Sequence, residues 1–283
     1  ALGIQLRSKV NLVEETEQNL SFFSKEETRN YNTRYIRSLF TDGNNLIVNS
    51  DTILQEQENF YKKLYSKPPN QTLNPDLFQI DIPQLTAEDQ ATCDEDISIE
   101  ELGSALRDLP NNKSPGTDGL TSEFYKFFWP DIKYLVHDSL TYAYTNNTLS
   151  IEQKRGILTI IPKKDKDLRR LKNWRPLSLL NTDYKILTKS LAFRLQKVIG
   201  KLISFDQSGY IKGRFIGENI RTIYDIIDYA RDNMIPGMVV AIVFEKAFDS
   251  VFWEFLLQTL RSFNFGPGFT KWIDIIYSAP ECC

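Results

Sequence analysis

The chain has 283 residues, 41% of them apolar and 12% aromatic, which is enough to bury a core as one large or two smaller globular units and excludes a disordered segment. No apolar run approaches the about eighteen residues needed to cross a bilayer, and no basic-then-apolar leader opens the chain, so an intracellular protein is expected, nuclear or cytoplasmic. The formal net charge of −3 hides an asymmetry: residues 151–221 hold 17 Lys and Arg against 6 Asp and Glu, a net of +11, which leaves −14 elsewhere.

In chain order, residues 1–66 carry helix signatures. They comprise a polar and acidic run from Leu12 to Leu20 and an amphipathic segment from Asp51 to Tyr65, separated by the turn signal Asp42-Gly43-Asn44-Asn45. Lys67 to Pro83, rich in Pro, Asn and Gln, reads as a linker, continued by the acidic run Asp94-Glu95-Asp96. Ser98 followed three residues later by Glu101 predicts a capping box that opens a helix over Ile99–Leu109. The loop from Asn112 to Gly119 turns sharply at its glycines and proline, and it lacks the spacing of a phosphate-cradling Walker loop. The aromatic run Thr121–Trp129 reads as core. His137, the only histidine, reads as a packing residue, which argues against imidazole-dependent nucleophilic catalysis. Cys93 and the adjacent Cys282 and Cys283 make neither a disulfide framework nor a spaced zinc site.

The basic block includes Lys163, Lys164, Lys166, Arg169, Arg170, Lys172 and Arg175. An excess sustained over that length points to a polyanion partner held by counterion release. Further on, the seven apolar residues Met238–Phe244 predict a short strand covered on both faces, in which Val243 packs as core and an aspartate would be costly. Phe248, Val251, Phe252, Phe255 and Leu260 then recur at helical spacing, with Asp249 as an acid at the helix start.

The stretch Phe244, Lys246, Ala247, Phe248, Asp249 resembles the first catalytic block of reverse transcriptases of non-LTR (LINE-type) retrotransposons, a hydrophobic strand ending Asp-Phe-x-Lys-Ala-Phe-Asp. Four further blocks resemble the same family in the same order: Asn112 to Gly119 with Glu123-Phe124-Tyr125; Ile160-Ile161-Pro162-Lys163-Lys164; Asn173-Trp174-Arg175-Pro176-Leu177; and Asp206-Gln207-Ser208-Gly209-Tyr210-Ile211-Lys212-Gly213-Arg214. The resemblance implies an α+β fold: connector helices with a linker over 1–96, a fingers region over 97–237 and the start of the palm of a right-hand polymerase over 238–283. The palm is expected to be incomplete, because the family's Ala-Asp-Asp block has no counterpart and no Asp-Asp pair occurs in the sequence.

Roles follow residue by residue. Lys163 and Arg175 match the family's triphosphate contacts, and Phe248 matches the aromatic gate that excludes a ribose 2′-hydroxyl. Lys164, Lys212 and Arg214 are expected on nucleic acid. The family's metal-binding aspartate falls at Val243, whose side chain offers no oxygen to Mg²⁺. Glu245, two residues on, should lie too far along the strand to substitute. The intact family uses Mg²⁺; for this chain no cofactor is expected. The expected partners are an RNA template, an RNA/DNA duplex and other parts of a parent polyprotein, with a deoxynucleotide for the intact family and no membrane. The implied function is a reverse-transcriptase fragment, inactive as it stands. The alternatives are a non-catalytic RNA-binding or interaction module, or a remnant without function.

Overall fold

A computed structural model describes residues 35–66, 72–78, 81–244 and 246–282, so the run Leu12–Leu20 and Glu245 lie outside the described residues. The fold is α+β, as expected. In chain order the elements are β1 (Leu39–Phe40), β2 (Leu46–Ile47), α1 (Ser50–Tyr65), α2 (Ala87–Asp94), α3 (Ile99–Asp108), α4 (Ser122–Thr145), α5 (Ile151–Lys154), β3 (Arg155–Pro162), β4 (Trp174–Leu179), α6 (Thr182–Leu202), α7 (Ile216–Asp232), α8 (Trp253–Ser262), α9 (Pro267–Tyr277) and β5 (Glu281–Cys282). β3 is the central strand of a sheet ordered β4-β3-β5, and it pairs in parallel with β5 at Arg155↔Glu281 and Gly156↔Cys282.

The described residues form two compact units, 35–66 with Thr159–Leu177, and the others. In the first unit, β1 and β2 pair antiparallel with Leu39 opposite Ile47. The expected turn lies between them, and Asn44 takes φ 64° there, a left-handed conformation that asparagine tolerates. Asn49 caps α1, its Oδ1 accepting from the backbone N–H of Asp51 at 2.9 Å and of Thr52 at 3.2 Å. The core of this unit is Leu39, Ile53, Leu171 and Trp174, ringed by Ile36, Ile47, Phe60, Ile160 and Leu168. The amphipathic pattern of α1 is therefore used to brace the 159–177 segment.

In the second unit α3, α4 and α6 pack together, with α2 and α9 closing the core. The capping box at Ser98 and Glu101 is present. The acidic run expected to extend a linker is instead stitched into this core. Arg194 of α6, only 1% exposed, donates from Nη1 to the Cys93 carbonyl at 3.0 Å and also to that of Glu95, and from Nη2 to the Asp96 carbonyl at 2.9 Å. The same guanidinium grips Glu101 with two bonds, Nε to Oε1 at 2.8 Å and Nη2 to Oε2 at 2.6 Å. Asp94 meanwhile accepts from the Phe269 N–H at 2.8 Å, at the positive end of α9. That approach needs glycine: a Cβ at Gly266 would lie 1.9 Å from the Asp94 carboxylate.

The 112–119 loop is likewise a structural joint. Asn181 Oδ1 accepts from Thr117 Oγ1 at 3.2 Å, and Lys185 Nζ donates to the Ser114 carbonyl at 3.2 Å. A Cβ at Gly116 would strike Asn181 Oδ1 at 2.0 Å. His137 is a packing residue, its Nε2 3.1 Å from the Ile97 carbonyl oxygen. The Thr121–Trp129 run is only partly core: Tyr125 is buried, while Phe127 is 78% exposed.

Two sequence expectations fail at residues 238–252. Met238–Phe244 form no strand, and Val243 is 90% exposed. A strand exists only through a paired neighbour, and among the described residues none lies beside this segment. Asp249 sits in a turn, its N–H bonded to the Lys246 carbonyl at 2.9 Å, and the helix begins later, at Trp253.

Arg194→Met should destabilise the protein by about 3 to 5 kcal/mol in denaturant titration, because it leaves Glu101 and three carbonyls without their shared donor. Burial by itself would raise the Glu101 pKa, but the bonds from Arg194 and the Ser98 backbone outweigh it and hold it below the ordinary carboxylate value of 4.5. Its contribution is therefore complete above about pH 4.5 and lost as pH falls through the lower folded value. Glu101→Gln should flatten this acid limb of the stability curve.

Candidate nucleic-acid interface

The sequence-expected site residues fall into two groups, one in each unit. In the first unit β3, the 163–173 connection and β4 carry Lys163, Lys164 and Arg175 together. Trp174 anchors this segment, 2% exposed and donating from Nε1 to the Leu168 carbonyl at 2.8 Å. Asn173 ties the connection internally through Nδ2 to the Asp167 carbonyl at 2.8 Å.

The cations of this segment divide by what they touch. Arg169 grips Asp167 with two bonds, 2.9 Å from Nε to Oδ1 and 3.1 Å from Nη2 to Oδ2, and the Arg169 side chain holds the Asp167 carboxyl below its ordinary value. Arg169 and Arg170 also lie over the Phe40 ring, at 4.9 and 5.2 Å from its centroid. Arg170 Nη2 bonds Asn44 Oδ1 at 2.9 Å, and the Phe40 N–H donates to the Arg169 carbonyl at 2.7 Å. These two arginines hold the β1–β2 hairpin. Lys163 is half-buried, and its Nζ donates to the Lys172 carbonyl at 2.8 Å. Lys164, Lys166, Lys172 and Arg175 are exposed and make no ion pair to a described carboxylate.

In the second unit, Arg214 does not reach outward. Its guanidinium donates to the carbonyls of Ser204, Gln207 at 2.8 Å and Ile203 at 2.9 Å, with a longer contact to Gly200 at 3.4 Å. It thus closes the C-terminal end of α6 and shapes the loop that follows. Lys212 is exposed on that loop. Phe248, 77% exposed, meets the ring of Tyr210 edge-to-face at 5.5 Å. Sequence reasoning did not separate structural from free arginines, because a guanidinium facing carbonyls and one facing solvent look alike in a sequence. It also missed Tyr210, whose only signal was its place between Gly209 and Gly213.

At position 243 the exposed valine side chain carries no oxygen, and among the described residues no three His, Cys, Asp or Glu side chains come together as a metal shell.

The β3–β4 segment thus presents cations without a described carboxylate partner, on an α+β scaffold. Residues 161–281 match the model of the family described as reverse transcriptase (RNA-dependent DNA polymerase). The whole chain aligns at 35% identity with the transposon TX1 uncharacterized 149 kDa protein of Xenopus laevis, and 58% of it at 25% identity with a probable RNA-directed DNA polymerase from transposon BS of Drosophila melanogaster. The chain spans 22% and 18% of the length of these relatives. It belongs to the reverse transcriptases of non-LTR retrotransposons, and it is a reverse-transcriptase region of a transposon protein. No described helix is long and apolar enough to cross a membrane.

Two outcomes follow from this geometry. Neutralising Arg169 and Arg170 to Gln should loosen the β1–β2 hairpin, read as faster amide exchange at Phe40, whereas neutralising Lys164 and Lys166 should leave that exchange unchanged. Val243→Asp should change stability by less than about 0.5 kcal/mol in thermal or denaturant unfolding, since the side chain stands in water and not in a covered strand.

Proposed function

We propose that this chain is a nucleic-acid-gripping part of a reverse transcriptase that does not itself carry out nucleotidyl transfer. The observation that carries the first half is the set of four exposed cations, Lys164, Lys166, Lys172 and Arg175, with no described carboxylate to neutralise them. Such cations displace condensed counterions from phosphates, and a nucleic-acid backbone supplies phosphates at the needed density. The ligand is an RNA template or an RNA/DNA duplex, read by shape and charge with little sequence preference. Lys163 and Arg175 are the residues for the triphosphate of a deoxynucleotide. Arg175 presents an open guanidinium fork; Lys163 reaches a triphosphate only by releasing the Lys172 carbonyl. Phe248 is the ring that would crowd a 2′-hydroxyl. Arg214 belongs to the support of its loop, leaving Lys212 as that loop's contact to phosphate.

The second half rests on Val243. Phosphoryl transfer to a primer end uses two cations about 3.5 to 4 Å apart, held by carboxylates. A valine at the position where the family has its first aspartate supplies no ligand, and no described acidic cluster replaces it.

Binding and catalysis are tested separately. The affinity for an RNA/DNA duplex should fall steeply with salt, and replacing Lys164, Lys166, Lys172 and Arg175 by Gln should reduce the log–log slope by about 3. An unchanged slope means that these cations only solvate the surface. With primer, template and Mg²⁺ or Mn²⁺, the chain should incorporate no labelled deoxynucleotide; template-dependent incorporation would overturn the non-catalytic reading.

A further inference from the structure

The loop between α6 and α7 carries a feature that charge does not explain. Within residues 203–215 three large rings point into water: Phe205 and Tyr210 at 89% exposure each and Phe215 at 69%. Apolar surface of this kind is unfavourable unless something covers it. The loop is nevertheless built, not loose. Arg214 binds its carbonyls from within, Asn219 Nδ2 donates to the Asp206 carbonyl at 2.6 Å, and the Gln207 N–H bonds the Ser204 carbonyl at 3.2 Å.

Two of the rings are specifically held. Tyr210 takes φ 63°, a conformation that bulky residues rarely adopt and that persists only where the surroundings impose it. Its ring is backed edge-to-face by Phe248 and keeps an open face. The Phe215 ring lies over Gly217, where a Cβ would come within 2.2 Å of it, so only glycine at 217 permits that placement. Lys212 and Arg214 follow Tyr210 two and four residues on, with Asp206 as the one carboxylate of the segment.

We propose that Tyr210, backed by Phe248, is a stacking platform for unpaired bases of a single-stranded nucleic acid, with Lys212 on the adjoining phosphate. A rigid aromatic face beside a cation is the arrangement that recognises an unpaired base without regard to its identity, since every base offers a π-face. The inference rests on the nucleic-acid reading above and adds to it a strand state: paired bases have no free face to offer, so the platform selects single strands. Base stacking is common to RNA and DNA, so both should use it.

The test uses the full chain with single-stranded RNA and DNA oligonucleotides carrying one 2-aminopurine, whose fluorescence is quenched by stacking, and with an RNA/DNA duplex. Tyr210→Leu should weaken single-strand binding on the order of tenfold and lift the quenching, with duplex affinity unchanged. Tyr210→Phe should keep both, because the ring remains. Lys212→Ala should lower the salt slope while leaving the quenching in the residual complex. If Tyr210→Leu leaves single-strand affinity and quenching unchanged while the fourfold Gln variant at Lys164, Lys166, Lys172 and Arg175 still loses affinity, the platform is wrong and the nucleic-acid reading stands. An equal loss on single strand and duplex, or a loss confined to RNA or to DNA, also overturns the platform. If the unaltered chain binds no nucleic acid, both readings fail.

Discussion

The Arg194 guanidinium is the constraint on which the larger unit depends. A buried charge is costly unless nearly all of its donors are satisfied, and here one carboxylate and the carbonyls of an acidic turn meet that demand. The consequence is positional. The bonds fix the end of α2 and the start of α3 against α6, and through Asp94 they also set where α9 begins. α6 in turn carries at its N-terminus the Asn181 joint to the 112–119 loop, and at its C-terminus the carbonyls that Arg214 closes. One helix is thus the frame for a loop at either end.

The basic block is less uniform than its composition. Some cations are mortar: Arg169 and Arg170 clasp Phe40, and Arg214 organises backbone. Others stand free on the β3–β4 segment. The division has a physical basis, since an arginine's planar fork suits several acceptors at once, whereas a lysine on a flexible stem more readily stays in water. Net charge therefore overstates the cations available to a phosphate backbone, and the contacts decide which ones count.

Much of this was legible in the sequence and some was not. The capping box at Ser98 and Glu101 and the turn near Asn44 were readable because local rules set them. The acidic run 94–96 was misread as linker because its role comes from Arg194, about a hundred residues away in sequence. Residues 238–244 misled in the opposite direction: their pattern is that of a covered strand, yet pattern gives only the capacity to pair, and pairing needs a partner. Tyr210 was quoted within a motif without a role, because its open ring and its contact with Phe248 are tertiary facts.

That unpaired segment bears on how the chain behaves in company. Val239, Val240, Ile242 and Val243 are β-branched, and the run from Met238 to Phe244 has neither charge nor proline to blunt it. It belongs to no helix or strand and its apolar side chains are exposed, so the groups that a neighbouring strand would bond are left unpaired by any sheet. Two molecules that meet there can satisfy one another, and a third can add to the second. Self-association nucleated at this stretch then grows with concentration, and the dilution at which the protein is handled decides whether a solution of it stays clear.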